Sequence, residues 1–101
     1  MNNSTKLRQI FAGIIESDNV YFNPQDSIRL KYPCIIFNEA PGSIVRADNE
    51  LYKFVRKYEF KYITKDPDET MVDKLLKLPM CSPGRIYASD NLYHYTFIIY
   101  Y

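Results

Sequence analysis

Residues 66–101, DPDETMVDKLLKLPMCSPGRIYASDNLYHYTFIIYY, constrain the fold more than any other stretch, because they prescribe a helix, a turn and a final strand in that order. Asp66 can accept a backbone N–H, Pro67 has no N–H to lose, and Glu69 suits the positive end of a helix dipole. The pattern predicts a helix starting there and running to about Leu78. Ser82-Pro83-Gly84 then reads as a turn, Arg85 to Tyr87 as a short strand, and Ser89-Asp90-Asn91 as a second turn. Beyond it Tyr93, Tyr95, Phe97, Ile99 and Tyr101 alternate with Leu92, His94, Thr96, Ile98 and Tyr100, which is the period of a strand.

The preceding residues fit one sheet-forming domain. Leu7, Ile10, Phe11, Ile14 and Ile15 make one apolar stripe at helical spacing, predicting a helix over Thr5 to Glu16 with Ser4 or Thr5 as its cap. Asn19 to Phe22 is a short strand, and Asn23-Pro24-Gln25-Asp26 a turn by residue chemistry. Ser27 to Leu30 and Cys34 to Phe37 read as short extended pieces; the second is apolar on both faces and so suits a central strand. Pro41-Gly42 is expected to reverse the chain, and Asp48-Asn49 to separate strands Ser43 to Ala47 and Leu51 to Thr64. In the last of these Tyr52, Phe54, Tyr58, Phe60 and Tyr62 share one parity, while Lys53, Lys57, Glu59 and Lys61 share the other. That strand exceeds the usual length, so it is expected to bend or to protrude beyond the sheet. The whole reads as an α+β fold: a mostly antiparallel sheet, with an N-terminal helix and a second helix packed on one face, in the order α-β(n)-α-β-β. A chain of 101 residues with no linker reads as a single domain, 1–101.

Charge and composition remove several function classes. A formal charge of +1 is not the footprint of a sequence-independent nucleic-acid binder. Lys53, Arg56, Lys57 and Lys61 cluster, but Glu50 and Glu59 interrupt them, and a solvated strand face explains the cluster as well as a phosphate stripe would. The opening MNNSTKLRQIFAGIIES is a capped amphipathic pattern rather than an export signal, so the protein is expected to remain in the cytoplasm where it is made. Cys34 and Cys81 lie far apart beside apolar runs and are expected to be reduced and buried. Ten Tyr and six Phe with no Trp are the compositional anomaly. Tyr has an apolar face and a polar tip, which suits residues that are part core and part interface.

Candidates for catalysis are few. His94 is the only histidine and sits inside an alternating strand, where a structural role is the simpler reading. Asp66, Asp68 and Glu69 crowd a helix start, which explains them as capping groups rather than metal ligands. Three glycines provide no phosphate-cradling loop. The expectation is a protein that is not an enzyme and carries no metal or cofactor.

Taken together, Tyr32 to Phe37 (YPCIIF), Ala47-Asp48-Asn49 with Tyr52 beyond it, and Tyr58-x-Phe60-x-Tyr62-Ile63-x-Lys65-Asp66-Pro67-Asp68 carry a resemblance. So do Leu75, Leu76, Leu78-Pro79, Arg85-x-Tyr87, Asp90-Asn91-Leu92 and His94. With the amphipathic first helix and aromatic ending, nearly the entire chain resembles the head-tail joining, tail completion and tail terminator proteins of tailed bacteriophages. The resemblance implies a non-enzymatic subunit of a ring, typically six-fold, at the head-proximal end of the tail tube, in the virion. Its implied partners are further copies of itself, the tail tube protein and the neck or stopper protein, with DNA passing through the ring without sequence-specific contacts and no membrane involved. The interface candidates are Tyr52, Lys53, Phe54, Arg56, Lys57 and Tyr58 on the long strand, and the Asp48-Asn49 and Asp90-Asn91 turns. The rival expectation is a small phage regulatory protein binding one host partner; a small nuclease is weaker still.

Overall fold

Strand-forming parity and helical stripes resolve into a five-stranded sheet with two helices on one of its faces. The computed structural model describes residues 3–24, 29–48 and 51–101, with side chains placed except at 3, 42–48 and 51–55. The elements are α1 (Asn3–Ile15), β1 (Val20–Phe22), β2 (Cys34–Asp48), β3 (Leu51–Thr64), α2 (Glu69–Leu76), β4 (Cys81–Ser89) and β5 (Leu92–Tyr100). Their order in the sheet is β1-β2-β3-β5-β4. Every pairing is antiparallel except that of β1 with β2, which is parallel, with Val20 opposite Ile35 and Phe22 opposite Phe37. The α+β architecture expected from the sequence is therefore the one observed.

Register explains which residues make the core. Ile35, Tyr62 and Tyr95 lie in one cross-strand row, Phe37, Phe60 and Phe97 in the next, and Tyr58 and Ile99 in a third. All eight are buried, and α1 lays Leu7, Phe11 and Ile15 on them while α2 adds Leu75. Phe11 meets the ring of Phe60 at 4.5 Å and that of Phe37 edge-on at 5.3 Å, and Phe60 stacks on Phe97 at 4.7 Å. The opposite face, with Asn38, Glu59, Lys61, His94, Thr96 and Ile98, has no helix over it among the described residues. Three tyrosines, Tyr58, Tyr62 and Tyr95, are thus core residues.

Helix ends depart from the sequence reading by a residue or two. α1 already includes Ser4 and Thr5, so neither is its cap. It closes with Glu16 in the left-handed region (φ 55°) and Ser17 N–H donating to the Ala12 carbonyl at 3.1 Å, the six-to-one bond of a Schellman ending. The cap of α2 is Asp68, not Asp66: its Oδ1 accepts the Met71 N–H at 3.0 Å. The Asp68 carboxylate also lies 3.5 Å from the Tyr62 hydroxyl, tying the helix start to the core. Pro67 permits this by standing ahead of the cap rather than at the first helical position.

Two expected turns are strand irregularities instead. Pro41-Gly42 does not reverse the chain, because β2 continues through it with a register shift between Ala40 and Ile44. Ser82-Pro83-Gly84 lies inside β4, whose register shifts between Pro83 and Ile86. There the Thr96 hydroxyl accepts the Arg85 N–H and donates to the Arg85 carbonyl. A Cβ at Gly84 would stand 2.6 Å from that hydroxyl oxygen and 3.1 Å from the Thr96 carbonyl oxygen, so the bulge requires glycine. Of the expected strand Ser27 to Leu30, Arg29 and Leu30 are irregular, and 27–28, like 25–26 of the preceding turn, lie outside the described residues.

Both thiols are free; Cys34 is buried as expected, but Cys81, at the start of β4 on an outer strand, is only half-buried. Cys34 pairs with Ile63 on β3 and Cys81 with Ile99 on β5, so two strands separate them and they belong to opposite faces of the sheet, a geometry no disulfide can bridge. Burial pushes each up to about 11. Because the folded state holds these protons more tightly than the unfolded chain, their contribution to stability is complete below about pH 9 and is lost as pH rises towards 11. Thermal melts are expected to show the transition temperature falling over that window, with a shallower fall in Cys34→Ala; an identical slope in the variant would exclude Cys34 as its source. Capping gives a second expectation. Asp68→Ala should lose about 0.5–2 kcal/mol in urea melts and Asp66→Ala much less; the reverse order would mean that Asp66 caps the helix in solution.

Candidate functional site: the hairpin arm

The length of β2 and β3 creates an arm. β5 pairs with β3 from Lys57 to Thr64, and β1 pairs with β2 only as far as Phe37. From Ile44 to Asp48 and from Leu51 to Val55 the two long strands pair with each other, Asp48 opposite Leu51, Ala47 opposite Tyr52 and Val45 opposite Phe54. At a rise of about 3.4 Å per residue the part of β3 before Lys57 extends roughly 20 Å. That is enough to account for a long axis of 49 Å against 27 and 23 Å in the other directions. The radius of gyration, 14.2 Å, exceeds the roughly 13 Å of a compact domain this size for the same reason.

β3 protrudes as its length implied, but β2 accompanies it, so the first half of β3 is not a bare strand. The shift between Ala40 and Ile44 makes this possible, since it lets β2 bend at the sheet boundary and continue as the partner of β3.

At the base of the arm Arg56 and Glu39 form an ion pair, Nη1 to Oε1, at 2.7 Å. Hydrogen bonding to Glu39, followed by its charge, raises the Arg56 guanidinium above its ordinary value. Burial, followed by the Glu39 charge, raises the Tyr58 phenol. Arg56 and Tyr101 exchange backbone hydrogen bonds of 3.1 and 2.9 Å, which carry the β3–β5 ladder to the point where the arm leaves the body.

The interface candidates therefore divide. Arg56 and Lys57 are half-buried at the arm base, and Tyr58, 2% exposed, belongs to the core. Tyr52, Lys53 and Phe54 are on the arm and Asp48 ends its first strand; their side chains, and the whole of Asn49, lie outside the described residues. Asp90 and Asn91 occupy the opposite end of the sheet. Both have positive φ, 55° and 63°, between paired Ser89 and Leu92, which is a two-residue type I′ hairpin turn. The structure thus separates this turn from the arm rather than joining the two into one surface.

The outer strands β1 and β4 are poorly suited to strand addition, and β2 has an open outer edge only beyond Phe37, towards the arm. β1 has three residues, and β4 carries Pro83 and a bulge, two of the devices that blunt an edge. Among the described residues no three His, Cys, Asp or Glu side chains gather as a metal set, and no helix is long and apolar enough to cross a membrane. The bulge on β2 had no expected counterpart; its only signal in the sequence was Pro41-Gly42, which is equally good turn chemistry.

No protein-family model matches the sequence, and comparison with curated proteins finds no match. The arm is consequently the feature on which a functional reading rests.

Because the core cluster formed by the described residues lies entirely outside 41–56, the arm is expected to be dispensable for folding. Replacing residues 41–56 by Asn-Gly, which joins the paired Ala40 and Lys57 through a type I′ turn, is expected to leave a folded protein within about 2 kcal/mol of the parent. Circular dichroism and a chemical melt would check this, and loss of cooperative unfolding would make the arm part of the folding unit.

Proposed function

We propose that this protein is a structural, non-enzymatic subunit of a tailed-phage particle, a ring-forming tail terminator or tail completion protein acting at the head-tail junction. The supporting observation is the two-stranded arm. An isolated two-stranded ribbon is at best marginally stable in water, so one that extends beyond its own sheet gains most by lying on another chain. The blunted outer strands support the same reading, because they disfavour strand addition at β1 and β4 and leave the arm, with its open strand edges, as the principal projecting element. Self-association through an arm joins unlike surfaces of successive copies, and such a heterologous contact closes into a ring when its rotation permits. The partners of this reading are further copies of the chain, in a ring proposed to be six-fold, the tail tube protein on one side and the neck or stopper protein on the other. DNA would pass through the opening without base-specific contact. The sequence resemblance supports the choice of phage neck over other assemblies, and the arm supports the use of Tyr52 and Phe54 as anchors with Lys53, Arg56 and Lys57 setting orientation by charge.

The test is the double substitution Tyr52→Ser with Phe54→Ser. The expected protein is folded, and lysates of phage carrying it contain tails of uncontrolled length or heads without tails when viewed by electron microscopy. Normal particles from the variant would overturn this use of the arm, and an unfolded variant would make the two rings core residues. Sedimentation of the parent protein at rising concentration, alone and with the tail tube protein, distinguishes the ring from the rival regulatory reading: no association with either would favour the rival.

A further inference from the structure

The helix-free face of the sheet carries a trough that the assembly reading does not use. Cys34, Ile63, His94 and Tyr87 follow one another across β2, β3, β5 and β4 in a single row. Cys34 and Ile63 have shorter side chains than His94 and are 0% and 4% exposed, so they lie covered beneath the depression, and of the two only Ile63 reaches its lining. His94 stands beside it as a wall. Its ring lies flat against Tyr87, 4.7 Å between centroids and 3° between planes, and the Arg85 guanidinium sits 5.8 Å from the Tyr87 ring. The His94 Nδ1 is buried without a hydrogen-bond partner, so stacking rather than hydrogen bonding holds the imidazole upright. Leu30 and Tyr32, which lead into β2, line the same depression from the β2 side.

The resulting space is about 350 Å³, with Ile36, Ile63 and Leu92 among its apolar lining. Strands β2 and β5 are two sheet spacings apart, roughly 10 Å. A flat ring stacked on His94 would stand about 3.5–4 Å from it, on the Ile63 side, and a space of about 350 Å³ is ample for one such ring with its edges exposed to the rim. Asn38, Glu59 and Lys61 supply one group of polar atoms there and Asp90 another. They offer both donors and acceptors, with two carboxylates against one ammonium. Such a rim suits a neutral ring edged with its own donors and acceptors, and it does not suit a phosphate.

We propose that this trough binds a planar nitrogen heterocycle of the nucleobase class, as an uncharged nucleoside rather than a nucleotide, stacked on His94 as the next layer of the Arg85, Tyr87, His94 stack. The proposal is independent of the ring-forming role and involves no chemistry on the ligand.

Amide-resolved NMR titration of the full chain with adenosine, cytidine and uridine tests it. At least one nucleoside should give saturable shifts at 30–38, 59–63 and 90–94, with half-saturation at about 1 mM. Adenosine 5′-monophosphate should bind more weakly than adenosine. His94→Ala should weaken binding about threefold to tenfold, the range expected of one aromatic stack. Asn38→Ala, at an exposed rim position, should also weaken binding and carries the test should the histidine variant fail to fold. Absence of saturable shifts with all three nucleosides, shifts centred elsewhere, equal or tighter binding of the monophosphate, or unchanged affinity in a folded variant would each overturn the proposal.

Discussion

The contact on which the rest of the structure depends is the aromatic layer in which Phe11 of α1 sits over Phe37 and Phe60, with Phe97 stacked behind Phe60. These four rings join the first helix to the three central strands in one place. Burying a phenylalanine contributes roughly 1.5–3 kcal/mol, and ring pairs add to that, so a small chain concentrates much of its cohesion there. The row also determines orientation. With Phe37, Phe60 and Phe97 committed to the helices, the alternation of each strand commits Lys61, Thr96 and their neighbours to the other face.

That commitment explains why the same sheet has a packed side, an open side and an extension. Among the described residues, α1 and α2 pack on the body of the sheet, where β3 lies between β2 and β5. Beyond Lys57 β3 has only β2 as a sequence-encoded companion, and the arm begins where the third strand is lost. The Arg56–Glu39 pair occupies that boundary. Exposed ion pairs of this sort stabilise little, and the ladder bonds between Arg56 and Tyr101 are the firmer tie.

Much of the architecture was legible because it is written in local periodicity. The parity of Tyr58 to Tyr62 placed that strand's core residues correctly, the alternation of Leu92 to Tyr100 marked a strand without saying which set faces the core, and Asp90-Asn91 was legible as a turn because both residues tolerate the left-handed region. The misreadings share a cause. Pro41-Gly42 and Pro83-Gly84 satisfy the local chemistry of a turn and of a bulge alike, and long-range pairing decided for the bulge in both cases. Asp66 and Asp68 are both competent caps; the one used is Asp68, whose carboxylate also lies beside the Tyr62 hydroxyl, a contact that local sequence does not announce. The arm was half legible: the length of Leu51 to Thr64 announced a protrusion, but its companion strand was concealed by the proline and glycine within it. The row from Cys34 to Tyr87 was not legible at all, since it exists only once four strands are in register.

One consequence of the strand order concerns how the chain reaches this state. β2 with β3 and β4 with β5 are two hairpins between strands adjacent in sequence, so each pairs at low loop-closure cost although neither is more than marginally stable alone. A single seam, β3 against β5, joins them into one sheet, and its closure must bring together residues that α2 and β4 separate in sequence. Since ordering that intervening chain costs entropy before the seam repays it, the seam is expected to form after the hairpins. Phe60 and Phe97, which face each other across it, therefore sit where two locally paired halves become one protein.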